Sequence, residues 1–442
     1  MRTPKPIKME ITENQILQLS PDASSTKAGK KLATPAKWVE RAAHAKALWG
    51  ACQGSGKNPY TTMVDTVNIA FKCSCPSRKF PCKHALGLLF LYAQSPTEFQ
   101  QASELADHVA TWIGKRENKA EAKATKPKKP VDEKARQKRI AKRQEKVDAG
   151  VAELNLWLKD LVRTGIMNIP QQAYQFTNKI AARMVDAQAP GLANRVKGFS
   201  QINFYEEGWQ QELLRKVAIT YLLTTAYQNQ PQQSEDWQHE IKSQIGWSVS
   251  KEEVQTNPII TDEWLVLSRT IEPIDQLRME KIWLYGKQQQ QFGLLLNFFA
   301  KQQVVQEVYL VGSVIQASMH YYPGVHPQRV LLKEQNGTSA FFRPTGLDSL
   351  DELYESVANS LATNPFITSL PFLLDKVHLR YVEELWYIQD QKGYSIPIQN
   401  NSEQAWQMMA ASLGQPVMAF VNYSSRGVSI LSLIKEEVLV GF

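Results

Sequence analysis

The sequence has no apolar run long enough to cross a membrane. Its longest stretches, such as residues 85–93, fall well short of the ~20 residues a spanning helix needs. The first thirty residues carry no apolar segment of the kind that drives secretion, so a reducing cytoplasm is the expected setting. Cysteine is scarce, four in 442 residues, and in that setting disulfides are not expected to organise the fold. Also missing are a catalytic triad pattern, a dinucleotide fingerprint, a nucleophile elbow and an internal repeat of solenoid period. Gly54-Ser-Gly56-Lys57 imitates the end of a phosphate-binding loop, but Ala51 and Asn58 stand where that loop needs Gly and Ser or Thr. His320 and His326 flank a Pro-Gly turn with no Cys or carboxylate close by, a poor metal set. Glu383-Glu384 and Glu436-Glu437 are adjacent pairs whose side chains diverge, as solvated surface does. The expectation is a binding protein and not an enzyme.

What is present is unevenly distributed. The net charge of +8 conceals 14 basic against 8 acidic residues in 1–114, 14 against 5 in 115–146, and 23 against 30 in 147–442. The basic character therefore belongs to the first third, where it suits a polyanion, and the acidic remainder would be repelled from one.

Within that basic third lies Phe71-Lys-Cys73-Ser-Cys75-Pro-Ser-Arg78-Lys79-Phe-Pro-Cys82-Lys83-His84-Ala-Leu. Three Cys and one His in twelve residues form the ligand complement of one tetrahedral structural Zn2+. Side chains two apart on a strand share a face, so Cys73 and Cys75 are placed to meet one metal, with Val67, Ile69 and Phe71 continuing the same face. Pro76 and Pro81 suit the turn between ligand pairs, and an apolar helix is expected after His84. Lys, Arg, Ser and Pro around the cysteines speak against plain core residues, and a nucleophilic Cys and His pair would leave two cysteines unexplained. Cys52, well upstream, reads as a packed or free thiol.

The C-x-C and C-x-H pairs resemble the SWIM zinc finger. Ser20-Pro-Asp-Ala, Lys37-Trp38, Leu48-Trp49-Gly50-Ala-Cys-Gln-Gly54-Ser-Gly56 and the run from Cys75 to Leu89 resemble its bacterial stand-alone members, over about one fifth of the chain. The resemblance implies zinc binding with a DNA-binding or protein-interaction role. It also implies AAA-type ATPases or von Willebrand A proteins as partners of a scaffold. For DNA or another polyanion bound through residues 1–146, Lys72, Arg78, Lys79 and Lys83 bracket the ligands and are the expected phosphate contacts, with 115–146 as an auxiliary arm.

The fold expected is an α+β multidomain chain, with a small N-terminal β-strand/helix zinc module, a central helical domain and a C-terminal mixed α/β domain. The boundaries fall at 1–114 for the zinc module with flanking helices, 115–149 for a basic linker and charged helix, 150–254 for the helical domain and 255–442 for the mixed domain. Residues 38–49 are Ala-rich and helix-capable. Ser95-Pro-Thr-Glu98 signals a helix start, followed by Phe99, Ala102, Leu105, Val109 and Trp112 at helical spacing up to Gly114. Residues 115–130 read as a tether, and 133–161 as one long helix gaining an apolar face. Helical spacing recurs over 171–185 and 209–227, with Pro190-Gly191 between helices and Trp209, Met184 and Leu214 as core. Beyond 255, segments such as 264–268, 281–285, 292–298, 304–310, 330–333, 416–421 and 428–433 are β-rich, with helices over 350–361 and 403–413.

Overall fold

The computed structural model describes residues 11–442 apart from 55, 57, 68, 78, 126–132, 168, 172, 275–276, 301–308 and 425. Three parts follow one another, as the composition predicts: a strand and helix module, a helical bundle and a sheet-rich C-terminal part. Among the described residues no helix is long and apolar enough to cross a membrane.

The first part comprises α1 (Glu13–Leu19), α2 (Ala23–Leu32), β1 (Trp38–His44), β2 (Ala47–Cys52), β3 (Tyr60–Asp65), β4 (Ala70–Cys73), α3 (Lys83–Gln94), β5 (Gln100–Gln101) and α4 (Asp107–Thr125). The sheet order is β4-β3-β2-β1-β5. Helices cover both faces. Trp38, Ala43, Leu48, Val64 and Phe71 pack with α3, while Ala42, Ala47, Trp49 and Met63 pack with Val109 and Ile113 of α4. Residues 38–49, expected to be helical, are instead a hairpin: strand pairing between two helical layers outweighs the modest alanine propensity. Helices α1 and α2 pack on α3. A Cβ at Gly87 would lie 2.8 Å from Leu32 Cβ, and one at Gly29 2.8 Å from Leu86 Cβ, so these paired glycines let α2 and α3 approach closely.

The helix start read at Ser95 is not where the long helix begins. Residues Pro96–Glu98 form a 3-10 turn, and Gln100–Gln101 join the sheet edge parallel to Ala42 and Ala43. Helix α4 begins at Asp107, passes through Gly114 and crosses the boundary drawn there, reaching Thr125 inside the expected tether.

The bundle consists of α5 (Glu133–Thr164), α6 (Ala173–Asp186), α7 (Pro190–Lys197), α8 (Trp209–Gln228), α9 (Glu235–Ile245) and the short α10 (Lys251–Val254). Val151, Leu154, Leu158, Met184, Leu192, Leu213 and Val217 belong to its core. The long helix from basic arm into folded core is present as α5. Pro190 opens α7 instead of separating helices, a position its missing N–H permits. Leu214, expected in the core, is exposed, because Leu213 and Val217 take the inward face of α8.

The C-terminal part holds two sheets. Strands β6 (Ile259–Ile274), β7 (Leu277–Gly286), β8 (Phe292–Ala300), β9 (Val314–Tyr321) and β10 (Arg329–Ser339) close a barrel in the order β10-β8-β7-β6-β9. The antiparallel meander β6-β7-β8, the parallel pair β8 and β10, and closure of β9 on β6 make the strand arrangement of an OB-fold barrel. Trp264 is fully buried inside it and donates Nε1–H to the Ala317 carbonyl at 3.1 Å. The β-rich segment at 304–310 lies largely outside the described residues, and Tyr309 and Leu310 are irregular. After the barrel come α11 (Leu350–Thr363), β11 (Leu370–Val382), β12 (Leu385–Gln389), β13 (Ser395–Pro397), α12 (Ser402–Ser412), β14 (Val417–Ser424), β15 (Gly427–Lys435) and β16 (Val438–Gly441). Their antiparallel sheet runs β13-β12-β11-β14-β15-β16. The barrel leans on this sheet through Trp283 and Phe292 against Phe420.

Candidate metal centre

Strand β4 and helix α3 bring the four ligands together. Cys73 ends β4, Cys75 follows in a bend, Cys82 is the residue before the first turn of α3, and His84 lies in that turn. One donor atom from each of Cys73, Cys75, Cys82 and His84 falls in a set within 4.8 Å of one another. Cys73 Sγ lies 3.7 Å from His84 Nδ1, close to the ~3.5–3.8 Å edge of a tetrahedron with zinc bond lengths of about 2.0–2.3 Å. Three thiols and an imidazole at this spacing fit Zn2+, and Cys82 and His84 are buried. The same-strand argument holds for Cys73 alone: the strand starts at Ala70, the turn before it takes Val67 and Ile69, and Ile69 has a positive φ of 34°. Phe71 keeps its expected place on the ligand face, edge-on to Phe80.

Two further residues shape the site. Thr62, fully buried on β3 and paired in register with Cys73, places Oγ1 3.2 Å from Cys73 Sγ. The ring of Tyr60 lies 4.8 Å from that of His84. Neither carries a sequence signal of its own, because their proximity depends on hairpin register.

The metal-free protonation pattern is asymmetric. Contact with the Cys82 thiol, then with His84 and Thr62, pulls Cys73 down to about 3 against the opposing effect of burial. Cys82 is pushed up, first by its bond to Cys73 and then by burial, and Cys75 is raised mainly by burial. These directions favour the thiolate at Cys73 and the thiol at Cys75 and Cys82, whereas zinc requires thiolates. Zinc loading at pH 7 is expected to release the protons of Cys75 and Cys82, so affinity tightens as pH rises. Calorimetry in buffers of different ionisation enthalpy measures this; loading without net proton release would contradict it.

Cys52 is a buried free thiol, pushed up mainly by burial, and stands outside the ligand set. Lys72 and Lys83 are exposed beside the site. Lys79 is engaged internally: its ammonium pairs with Asp22 Oδ2 at 2.7 Å and reaches Ser24 Oγ at 3.3 Å. That pairing, with Ser24 and Ser25 adding to it, holds the Asp22 carboxyl well below the usual carboxylate range, and Asp22 also caps α2. Arg78 lies outside the described residues. His320 is buried with Nδ1 2.7 Å from the Asn257 carbonyl oxygen, and among the described residues neither it nor His326 joins a metal-ligating cluster.

Residues 68–93 match the family model of the SWIM zinc finger. Residues 142–245 match that of the SWIM-associated four-helix bundle domain, from within α5 to the end of α9. No curated protein matches the chain. Motif, ligand geometry and family match agree on one structural zinc ion held by Cys73, Cys75, Cys82 and His84.

Proposed function

We propose that this SWIM-type zinc-finger protein is a cytoplasmic adaptor, not an enzyme, whose basic N-terminal third binds DNA or another polyanion. The carrying observation is the exposed start of α5, where Lys134, Arg136, Lys138, Arg139 and Lys142 all face solvent. Lys72 and Lys83 add exposed charge beside the metal centre. Arg143, by contrast, is structural: its guanidinium lies 4.1 Å from the Trp247 ring and donates to the Gln188 and Gly246 carbonyls. In this reading zinc fixes the β4 to α3 connection, and the cations around it make the contacts. The barrel is a weaker candidate. OB-fold barrels bind oligonucleotides over their second and third strands, and that face here packs on the C-terminal sheet.

A salt series on the full chain with duplex DNA, RNA and heparin tests the proposal. Affinity should fall steeply between about 50 and 200 mM salt, and Lys72→Gln and Lys83→Gln should each lower the log-log slope by about one. Salt-independent binding, or none, would remove the polyanion reading.

One observation favours a second reading, a protein-interaction scaffold of the kind that would serve an AAA-type ATPase or a von Willebrand A protein. Tyr381, Trp386 and Trp406 form a cluster of touching rings, and Tyr381 and Trp406 are exposed beside Val382 and Leu385. Such an apolar patch suits protein contact, and binding through it would survive high salt.

A further inference from the structure

Thr62 stands against the metal centre with its side chain wholly shut away from water. Strand β3 sets it directly opposite Cys73 of β4 and, on its other side, opposite Gly50 of β2, so the three positions share one row of the sheet. Helix α3 closes over this row: a Cβ at Gly50 would lie 3.1 Å from Leu88 Cδ1. Tyr60, two residues back on the same face of β3, lies with its ring 4.8 Å from that of His84. This face of the strand therefore meets the ligands.

The Thr62 hydroxyl is a polar group in an enclosed place, and buried hydroxyls keep a hydrogen-bond partner. Its Oγ1 lies 3.2 Å from Cys73 Sγ, and either atom can donate while Cys73 is a thiol. A zinc-bound cysteine is a thiolate with no proton to give, so in the loaded site the direction is fixed: the hydroxyl donates and the sulfur accepts. Cys75 is placed differently. It lies partly exposed in the bend after β4, and among the described residues no hydroxyl reaches its sulfur.

We infer that Thr62 is a positioning residue of the metal centre, its hydroxyl holding the Cys73 thiolate in place by a donated hydrogen bond and shielding that sulfur from electrophiles. Partners in the outer shell of a metal site orient its ligands, and losing one typically costs about 10–100-fold in metal affinity. A bond donated to the sulfur also draws charge from its lone pairs, which makes it a poorer nucleophile. The loaded site then has an order of reactivity. Cys75, partly exposed and without a hydroxyl, is modified before Cys73. The inference concerns the zinc site alone and does not depend on the adaptor reading.

Two variants isolate the hydroxyl: Thr62→Val keeps the shape without it, and Thr62→Ser keeps it without the methyl group. In the full chain, competition with a chromophoric chelator should show zinc bound about tenfold or more weakly in Thr62→Val and within about threefold of wild type in Thr62→Ser. With Co2+ in place of zinc, the sulfur-to-metal charge-transfer band should move to lower energy in Thr62→Val and stay in Thr62→Ser. A packing role would not produce that shift. Iodoacetamide applied to the zinc-loaded chain, with the labelled cysteines mapped by mass spectrometry, should reach Cys75 first in wild type and Cys73 earlier in Thr62→Val. Equal losses of affinity in the two variants would overturn the inference by assigning Thr62 to packing. Wild-type affinity and an unmoved cobalt band in Thr62→Val would overturn it too, by leaving the hydroxyl without effect on the sulfur.

Discussion

Cys73→Ala should lose stoichiometric zinc and destabilise the N-terminal module far more than any single change in its apolar core. Cys73 is closely held: it ends β4, lies 3.7 Å from His84 Nδ1 and 3.2 Å from Thr62 Oγ1, and is the thiol drawn toward thiolate. Structural zinc supplies about 10–16 kcal/mol of binding free energy in small sites at neutral pH, and removing one of four ligands forfeits much of it. The metal bridges the end of β4 to the start of α3, so hydrogen-exchange protection should disappear first over 73–84 and the first turn of α3. Protection should persist longer in β2, which is buried between two helical layers. The bundle and barrel have separate cores and should keep their protection. Metal content by mass spectrometry and exchange by segment are the measurements. Cys52→Ala is the comparison: that thiol is buried but outside the ligand set, and the variant should retain zinc. Full zinc occupancy in Cys73→Ala would remove the ligand assignment.

The metal centre was legible because its chemistry is local. Four ligands within twelve residues need no knowledge of tertiary structure, and the apolar run after His84 could only cover them as a helix. The same locality made α5 legible, since its polar start and its apolar positions at Val151, Leu154 and Leu158 lie on one continuous element. What was not legible depended on contacts between distant segments. Strand β2 is buried along its length, so it lacks the polar alternation that marks a strand, and its alanines resemble helix. The pairing of Gln100–Gln101 with β1 is likewise invisible in two polar residues. The ion pair of Lys79 with Asp22 is equally invisible, because Asp22 stands 57 positions away and caps another helix. In the C-terminal part single strands could be read, but the closure of β9 on β6 and of β10 on β8 is a property of the assembled barrel.

Glu280→Ala is expected to cost about 3–5 kcal/mol, because it strands a charge inside the protein. Glu280 on β7 has no exposed surface. It accepts from Arg269 Nε on β6 at 2.7 Å and from Asn297 Nδ2 on β8 at 2.9 Å, so one carboxylate ties three successive barrel strands. The Arg269 side chain is 16% exposed, too little for water to replace the lost partner fully. Removing the carboxylate therefore leaves a guanidinium and an amide without their acceptor, a larger loss than the net worth of the pair. The double variant Arg269→Met with Glu280→Leu separates the two quantities. It removes both charges, keeps comparable volume and should recover most of the stability lost in Glu280→Ala. Chemical denaturation of wild type, both single variants and the double variant gives the coupling energy directly. A cost below about 1 kcal/mol for Glu280→Ala would place the pair among solvated surface ion pairs, contrary to its burial. Full recovery in the double variant would assign the pair's role to strand register, since a single inward carboxylate meeting one arginine fixes which residues of β6, β7 and β8 lie side by side.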